Sequence, residues 1–218
     1  MINTGSYKNF NPMFKSVSIS WDKGKAAGYQ GSCYSALAPK KEFWDKWKEN
    51  IGKISEEENN KYYIEEYYKQ VLSKLDVEKV YGDLIHTTLL CYEEPEQFCH
   101  RHIVAAWFNL LLGDSIQPVT EVTFVDGQIV RISDSAQKYM DVLEEVIKSN
   151  ENLRGFNSVR AWYLFEQGEE FEARANAIEE KDPDASCNDL RQIACYYRCE
   201  ADEAEAAYKA AQYKKKGE

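Results

Sequence analysis

The chain has 218 residues, 44% of them hydrophobic, enough for one generous domain or two small ones around a real core, and this excludes a disordered chain. With 29% charged residues, no run of 18 apolar positions and a polar, aromatic opening from Met1 to Asn11, neither a membrane span nor a secretory signal is expected. Six cysteines at irregular spacings do not make a disulfide scaffold, so reduced thiols and a cytoplasmic location are expected.

Charge divides the chain unevenly. There are 14 basic and 15 acidic residues up to Gly113 but 13 and 22 from Asp114 on, a net −1 followed by −9. The lysines at 15, 23, 25, 40 and 41 can attract a small anion locally, whereas the acidic second half repels a nucleic-acid backbone. No extended nucleic-acid surface and no membrane partner is therefore expected.

From Lys15 to Trp21 the period-two spacing of Val17, Ile19 and Trp21 predicts a strand that enters a core. The loop after it carries glycines at 24, 28 and 31, which permit tight turns and exposed N–H groups. Pro39 then opens a helix with Phe43, Trp44, Trp47 and Ile51 on its apolar face. Ser55 with Glu58 forms a capping-box pattern for a second helix running to Leu75.

His86 to Tyr92 is a β-prone run suited to a strand buried on both faces. A helical pattern follows from about Cys99 to Leu112 and stops at Gly113. Strands separated by such helices favour a parallel sheet with crossover helices. Val119 to Ile132 alternates around Asp126-Gly127, the signature of a hairpin with a type I′ turn. Helices are expected through Tyr139, Leu143 and Ile147, from Ser158 to Glu180, and from Ser186 to Tyr213. Cys187, Cys195 and Cys199 are expected at a helix–helix contact on the last of these. The expected architecture is α/β: a parallel-sheet three-layer core over residues 1–113, with an appended β-hairpin and a C-terminal helical region over 114–218. The C-terminal helices offer a surface for homo-oligomerisation.

The stretch Cys91-Tyr-Glu-Glu-Pro-Glu-Gln-Phe-Cys-His-Arg-His102 places one cysteine at a strand end and another at a helix start. A helix N-terminus offers unpaired N–H donors and a dipole that favours an anion. Arg101 can add a bidentate clamp on phosphate or carboxylate. The dipole, Arg101 and His100 together lower the pKa of Cys99, the candidate nucleophile. Glu93 is the candidate general acid or base, or else a support for Arg101. Cys91 reads as a small core hydrophobe. His102 lies about 200° round the helix from His100, so one of the two is structural. No metal is expected, because neither C-x2-C nor H-x3-H spacing occurs. Lys23, Lys25, Gly28, Ser32, Cys33 and Tyr34 are expected to form the opposite wall of a ligand site.

The strand ending Ser18-Ile-Ser20, the segment Cys33-Tyr-Ser-Ala-Leu-Ala-Pro39 and the element from Leu90-Cys-Tyr-Glu to Cys99-His-Arg-His102 resemble the family called domain of unknown function 488, over about residues 14–112. By that resemblance Cys91, Glu93, Cys99, His100 and Arg101 are the positions carried over, with Leu37, Ala38 and Pro39 as a secondary match. The resemblance implies a compact α/β domain and assigns no activity.

The leading functional expectation is a protein that binds a phosphorylated small molecule, a nucleotide or nucleoside derivative, and modifies or hydrolyses it through Cys99, without a cofactor. One alternative is a non-catalytic protein that senses or sequesters a nucleotide signal. Another is a protein-interaction module that uses the acidic helical half.

Overall fold

A computed structural model of the chain describes residues 1–11, 14–126 and 128–216. They fall into two compact units, Met1–Asn150 and Glu151–Glu218.

The first unit holds six strands: β1 (Asn3–Ser6), β2 (Ser16–Ser18), β3 (Ser32–Cys33), β4 (Thr88–Cys91), β5 (Thr120–Val125) and β6 (Gln128–Ser133). They form one sheet in the order β3-β2-β4-β1-β5-β6, parallel throughout except for the β5–β6 hairpin. Five helices belong to the same unit: α1 (Lys41–Asn50), α2 (Glu56–Gln70), α3 (Val77–Leu84), α4 (His100–Leu112) and α5 (Gln137–Asn150). With helices on both sides of the sheet this is the expected three-layer α/β arrangement.

The centre of the sheet follows from local sequence. All four residues of β4 are buried, as an apolar strand between two parallel neighbours must be. Beside it runs β1, whose polar sequence gave no strand signal. Its Thr4 and Ser6 are buried because their hydroxyls donate to Glu121 Oε2 and, at 3.3 Å, to the Tyr92 carbonyl. Helix α4 is buried at every position from His100 to Phe108, and Gly113 ends it with φ +47°. Helix α2 begins on the anticipated capping box, with Glu58 N donating to Ser55 Oγ and Ser55 N to Glu58 Oε2, both at 3.2 Å.

Several boundaries differ from expectation. Strand β2 ends at Ser18, and Trp21 is 65% exposed instead of entering the core. Pro39 is buried but precedes α1, whose N-cap is Lys40; on its predicted face only Phe43 is fully buried. Helix α2 stops at Gln70, and α3 forms separately behind an Asp76 cap. The hairpin does not open a second domain at residue 114. It extends the sheet, since β5 pairs with β1, and the division falls at Asn150 instead. At the hairpin tip Asp126 has φ +51°, as the first central residue of a type I′ turn requires, while Gly127 lies outside the described residues.

The second unit consists of α6 (Val159–Glu179) and α7 (Asn188–Lys216), joined through Asp182-Pro183. Ser158 caps α6 by accepting from Ala161 N at 3.2 Å. The two helices approach closely at Gly168, where a Cβ would sit 3.0 Å from the Ala194 carbonyl oxygen. Cys187 is buried just ahead of α7, whereas Cys195 and Cys199 are exposed, so the three do not share one helix contact. Among the described residues no helix is long and apolar enough to cross a membrane.

Candidate functional site

Strands β2 and β4 are parallel neighbours, so the chain segments leaving their carboxyl ends lie side by side. A cleft of about 250 Å³ opens there. Ser20, Trp21 and Asp22 line it from the β2 side, and Cys91, Tyr92 and Glu93 from the β4 side. Pro39, just ahead of α1, closes it together with Lys41 and Trp44 of that helix, and His100 does so from the first turn of α4. Cys91 and His100 are only 2% and 6% exposed and form the floor, while the rim carries the exposed side chains of Trp21, Lys41 and Trp44.

One wall is a hydrogen-bonded polar network. Tyr7 Oη lies 2.5 Å from Ser18 Oγ and 2.9 Å from Ser20 Oγ, and Ser20 donates to Asp22 Oδ1 at 3.0 Å. Asp22 also accepts from Gly24 N and Ala26 N, both at 3.0 Å, and from Tyr92 Oη. Burial opposes its charge, but these donors, Tyr92 first, hold the carboxyl below its ordinary range. Burial pushes Tyr7 the other way, to about 12, and outweighs the hydrogen bonds with Ser18 and Ser20, which lower it. Gly24 is required in this turn: it has φ +78°, and a Cβ would lie 2.8 Å from the Tyr7 ring.

The floor brings together four residues that the sequence scatters over ten positions. Cys99 is the N-cap of α4, and its Sγ lies 2.9 Å from Glu93 Oε2, the thiol donating to the carboxylate. His100 Nε2 donates to the Ile19 carbonyl at 3.0 Å. A carbonyl can only accept, so Nε2 carries the proton and Nδ1 is the atom facing the thiols. That Nδ1 lies 3.6 Å from Cys91 Sγ and 3.9 Å from Cys99 Sγ. The two sulfurs and Nδ1 all fall within 4.8 Å of one another, a group able to hold a metal ion. The Tyr67 ring packs edge-on against His100 with centroids 5.8 Å apart, and its hydroxyl donates to the Leu37 carbonyl at 2.5 Å. Helix α2 thereby braces both the cluster and the segment at Leu37.

The two thiols are electrostatically unequal. Burial penalises charge on Cys99, yet the Cys91 thiol, Arg101 and His100 outweigh it and draw Cys99 below the ordinary thiol range. Burial and the neighbouring Cys99 charge push Cys91 well above that range. Glu93, half-enclosed beside Cys99, is raised to about 7, first by desolvation and then by the sulfur. His100 is raised as well; burial acts against this, and Cys99 overcomes it.

Arg101 does not face the cleft. It is fully buried, with Nε 3.2 Å from both oxygens of Glu121 and Nη2 2.9 Å from Oε1. His102 Nε2 donates to the same carboxylate at 3.1 Å, so the two histidines part as their angular offset requires. Arg101 Nη1 and His102 Nδ1 are buried without a hydrogen-bond partner. Arg101 thus acts on Cys99 through its charge and is not a clamp on a ligand. Lys23, Lys25, Gly28, Ser32 and Cys33 are exposed and do not line the cleft. Ser32 and Cys33 instead form β3, and Tyr34 donates to Asp83 Oδ2 at 3.0 Å. The expected opposite wall is supplied by Pro39, Lys41 and Trp44.

Sequence reasoning missed Glu121, the Asp22–Tyr92 pair and the two rim tryptophans. Glu121 did leave a trace: it is the one charged residue of β5, as Arg101 is of α4, and an apolar strand and helix each carrying a single opposite charge require one another.

No curated protein and no solved structure matches this chain. A family model described as the active DUF488-N3 subclade matches residues 17–111, from β2 to the end of α4. That span includes the cleft and the Cys91, Glu93, Cys99 and His100 cluster, but neither β1 nor Glu121. The N-terminal part of the chain is therefore a DUF488-like domain, and the C-terminal half lies outside it.

Proposed function

We propose that the first unit is a cytoplasmic enzyme acting on a nucleoside or its monophosphate, with the Cys91–Cys99 thiol pair as nucleophile. The observation that carries this reading is the placement of Cys91, Glu93 and His100 at the base of a cleft rimmed by Trp21, Trp44 and Lys41. A planar base can stack on the Trp21 indole or on the face of Trp44 opposite Lys48, and Lys41, paired with Asp45 one turn along α1, is the lining cation that can turn to a phosphate group. A reduced thiol pair suits a reducing compartment.

In this reading Cys99 supplies the negative charge and Cys91 is the thiol that lines the cleft. The Cys99 thiol gives its proton to the Glu93 carboxylate, the Cys91 thiol passes its own to Cys99, and the Cys91 thiolate forms a C–S bond at an acyl- or amidine-type carbon of the ligand. The bond to the leaving group breaks, and that group departs with a proton from the Glu93 carboxylic acid. Water then attacks the same carbon, gives a proton to the Glu93 carboxylate, and the C–S bond breaks to return the thiolate. The net reaction is hydrolysis, with one water consumed.

Native mass spectrometry of the purified protein, followed by a thermal-shift and product screen across nucleosides and nucleotides, tests this. Stabilisation by a nucleoside phosphate that Lys41→Ala removes, with turnover lost in Cys99→Ala at retained affinity, is expected. Affinity without turnover, indifferent to Cys99→Ala, would replace the enzyme by a nucleotide sensor. Absence of any ligand among these classes would overturn both.

A further inference from the structure

We infer that the reduced cluster at the cleft floor is a binding site for one thiophilic divalent cation of the zinc class, ligated by Cys91 Sγ, Cys99 Sγ and His100 Nδ1, with its fourth position open toward the cleft. The inference deepens the proposed function by regulating the same site, because an ion there occupies both sulfurs, but it does not depend on the identity of the substrate.

Distance is the first argument. With Zn–S of about 2.3 Å and Zn–N of about 2.0–2.1 Å, a tetrahedral site has S···N edges of about 3.6 Å. The observed Sγ···Nδ1 separations are 3.6 and 3.9 Å, and all three ligand atoms fit within 4.8 Å. Little beyond side-chain adjustment is needed to admit the ion.

The second argument is the outer contact of the histidine. Metal-bound imidazoles donate their other N–H to a carbonyl or carboxylate, which fixes the ring and directs the free lone pair at the ion. His100 Nε2 does this to the Ile19 carbonyl at 3.0 Å, and Tyr67 packs edge-on against the ring.

Charge is the third. A divalent cation with two thiolates and a neutral imidazole is electrically neutral, which suits a group buried to 6% exposure or less. Cys91, Glu93 and His100 reach the cleft surface, so the fourth position opens there. Three protein ligands and one open position make an exchangeable site rather than a closed structural one. Glu93 Oε2, 2.9 Å from Cys99 Sγ, is placed either to complete the shell or to accept a proton from water bound in it. The x7 spacing between the cysteines matches no zinc motif because the ligands come from a strand end and the following helix start, which the loop 92–98 folds back together.

The test uses the full chain, reduced with a phosphine, stripped of metal and titrated with Co²⁺ and then Zn²⁺. We expect one equivalent of cobalt to give a sulfur-to-cobalt charge-transfer band and the intense visible bands of a tetrahedral site, both abolished by one equivalent of zinc. Cys99→Ser and His100→Ala should each weaken binding by about a hundredfold or more, whereas Cys195→Ser on the exposed face of α7 should change nothing. Should those variants not fold, alkylation of the wild type provides the check: zinc should protect Cys91 and Cys99 and leave Cys33, Cys195 and Cys199 reactive. Spectra lacking the sulfur band, or binding that follows Cys195 instead of Cys99, would overturn the inference. If cobalt gives no signal while turnover still requires Cys99, the metal site fails and the thiol enzyme stands. Metal bound tightly by a protein with no affinity for nucleosides would give the reverse result.

Discussion

Both units carry surface ion pairs, but the first also buries a charged cluster. Met1–Asn150 encloses Arg101, Glu121 and His102 at 1% exposure or less and leaves two of their nitrogens unpaired. Glu151–Glu218 spreads its arginines over the surface: the side chains of Arg154, Arg191 and Arg198 are 48, 39 and 38% exposed and bridge to Glu166, Glu179 and Glu169. A surface bridge is screened and contributes little, whereas a buried pair is costly to assemble and far costlier to break. The first unit therefore accepts an expense that a purely structural domain avoids, and it does so beside a thiol whose ionisation the buried arginine favours. The second unit shows the same residue types paired at the surface, where water screens them.

Removing one buried partner is the strongest test of that contrast. Glu121→Gln strands the Arg101 charge in the core and should cost about 3–5 kcal/mol, read as a lower urea midpoint by tryptophan fluorescence. Replacing both members, Arg101→Met with Glu121→Leu, should recover only the part due to the stranded charge, since Thr4 and His102 still lose their acceptor, while making Cys99 less acidic. A double variant that alkylates at Cys99 with an unchanged pH midpoint would refute the role given to Arg101. Acid supplies the internal control. Burial raises the Glu121 carboxyl, but His102 and Arg101 overcome this and hold it below the ordinary 4.5. A depressed carboxylate contributes its full stability above the unfolded value and loses it as pH falls through the folded one. The gap between wild type and Glu121→Gln should accordingly close below about pH 4.5.

Legibility followed the range of the interactions involved. Helix α4 and its stop at Gly113, strand β4, the Ser55–Glu58 cap and the hairpin are set by residues within one or two turns of each other, and all were readable. Strand β1 was not, because what permits Asn-Thr-Gly-Ser in mid-sheet is a bond from Thr4 to Glu121, 117 positions away. A partner 20 positions away separates the two readings of Arg101. Beside a helix start it looks like an anion clamp, and only the pairing of β5 with β1 brings the carboxylate that claims it. Glu93, Cys99 and His100 were legible as chemistry because one strand–loop–helix unit holds them, whereas Cys91 read as a core hydrophobe, and only the cleft at its strand end shows it as part of the same group. The cleft around them was not, since Trp21, Lys41 and Trp44 arrive from separate elements.

Glu205 is the point at which the second unit departs from its surface habit. Among the described residues it is the buried carboxylate of that unit, at 8% exposure. From α7 it accepts from Asn157 N at 3.0 Å, Ser158 N at 2.9 Å and Asn157 Nδ2 at 2.6 Å, at the start of α6. A carboxylate there satisfies orphan N–H groups and complements the helix dipole. Glu205→Ala should cost about 2 kcal/mol, seen as an earlier loss of helical circular dichroism with the Cys99 chemistry unaltered. A loss as large as that of Glu121→Gln would show that the second unit also depends on a buried charge.

The smallest effect is expected where the arrangement looks most elaborate. Arg191 reaches Glu179 through both terminal nitrogens, at 2.5 and 2.6 Å, and Glu172 at 3.3 Å, linking α7 to α6. All three side chains remain open to water, so most of the Coulomb attraction is lost to solvent and to the ordering of long side chains. Arg191→Ala should lower the melting temperature only slightly in dilute buffer. At about 1 M salt, where the screening length falls to about 3 Å, wild type and variant should coincide. A difference that persists in high salt would mean that the arginine stem packs between the helices. The charge network would then be incidental to a contact made by the side chain's methylenes.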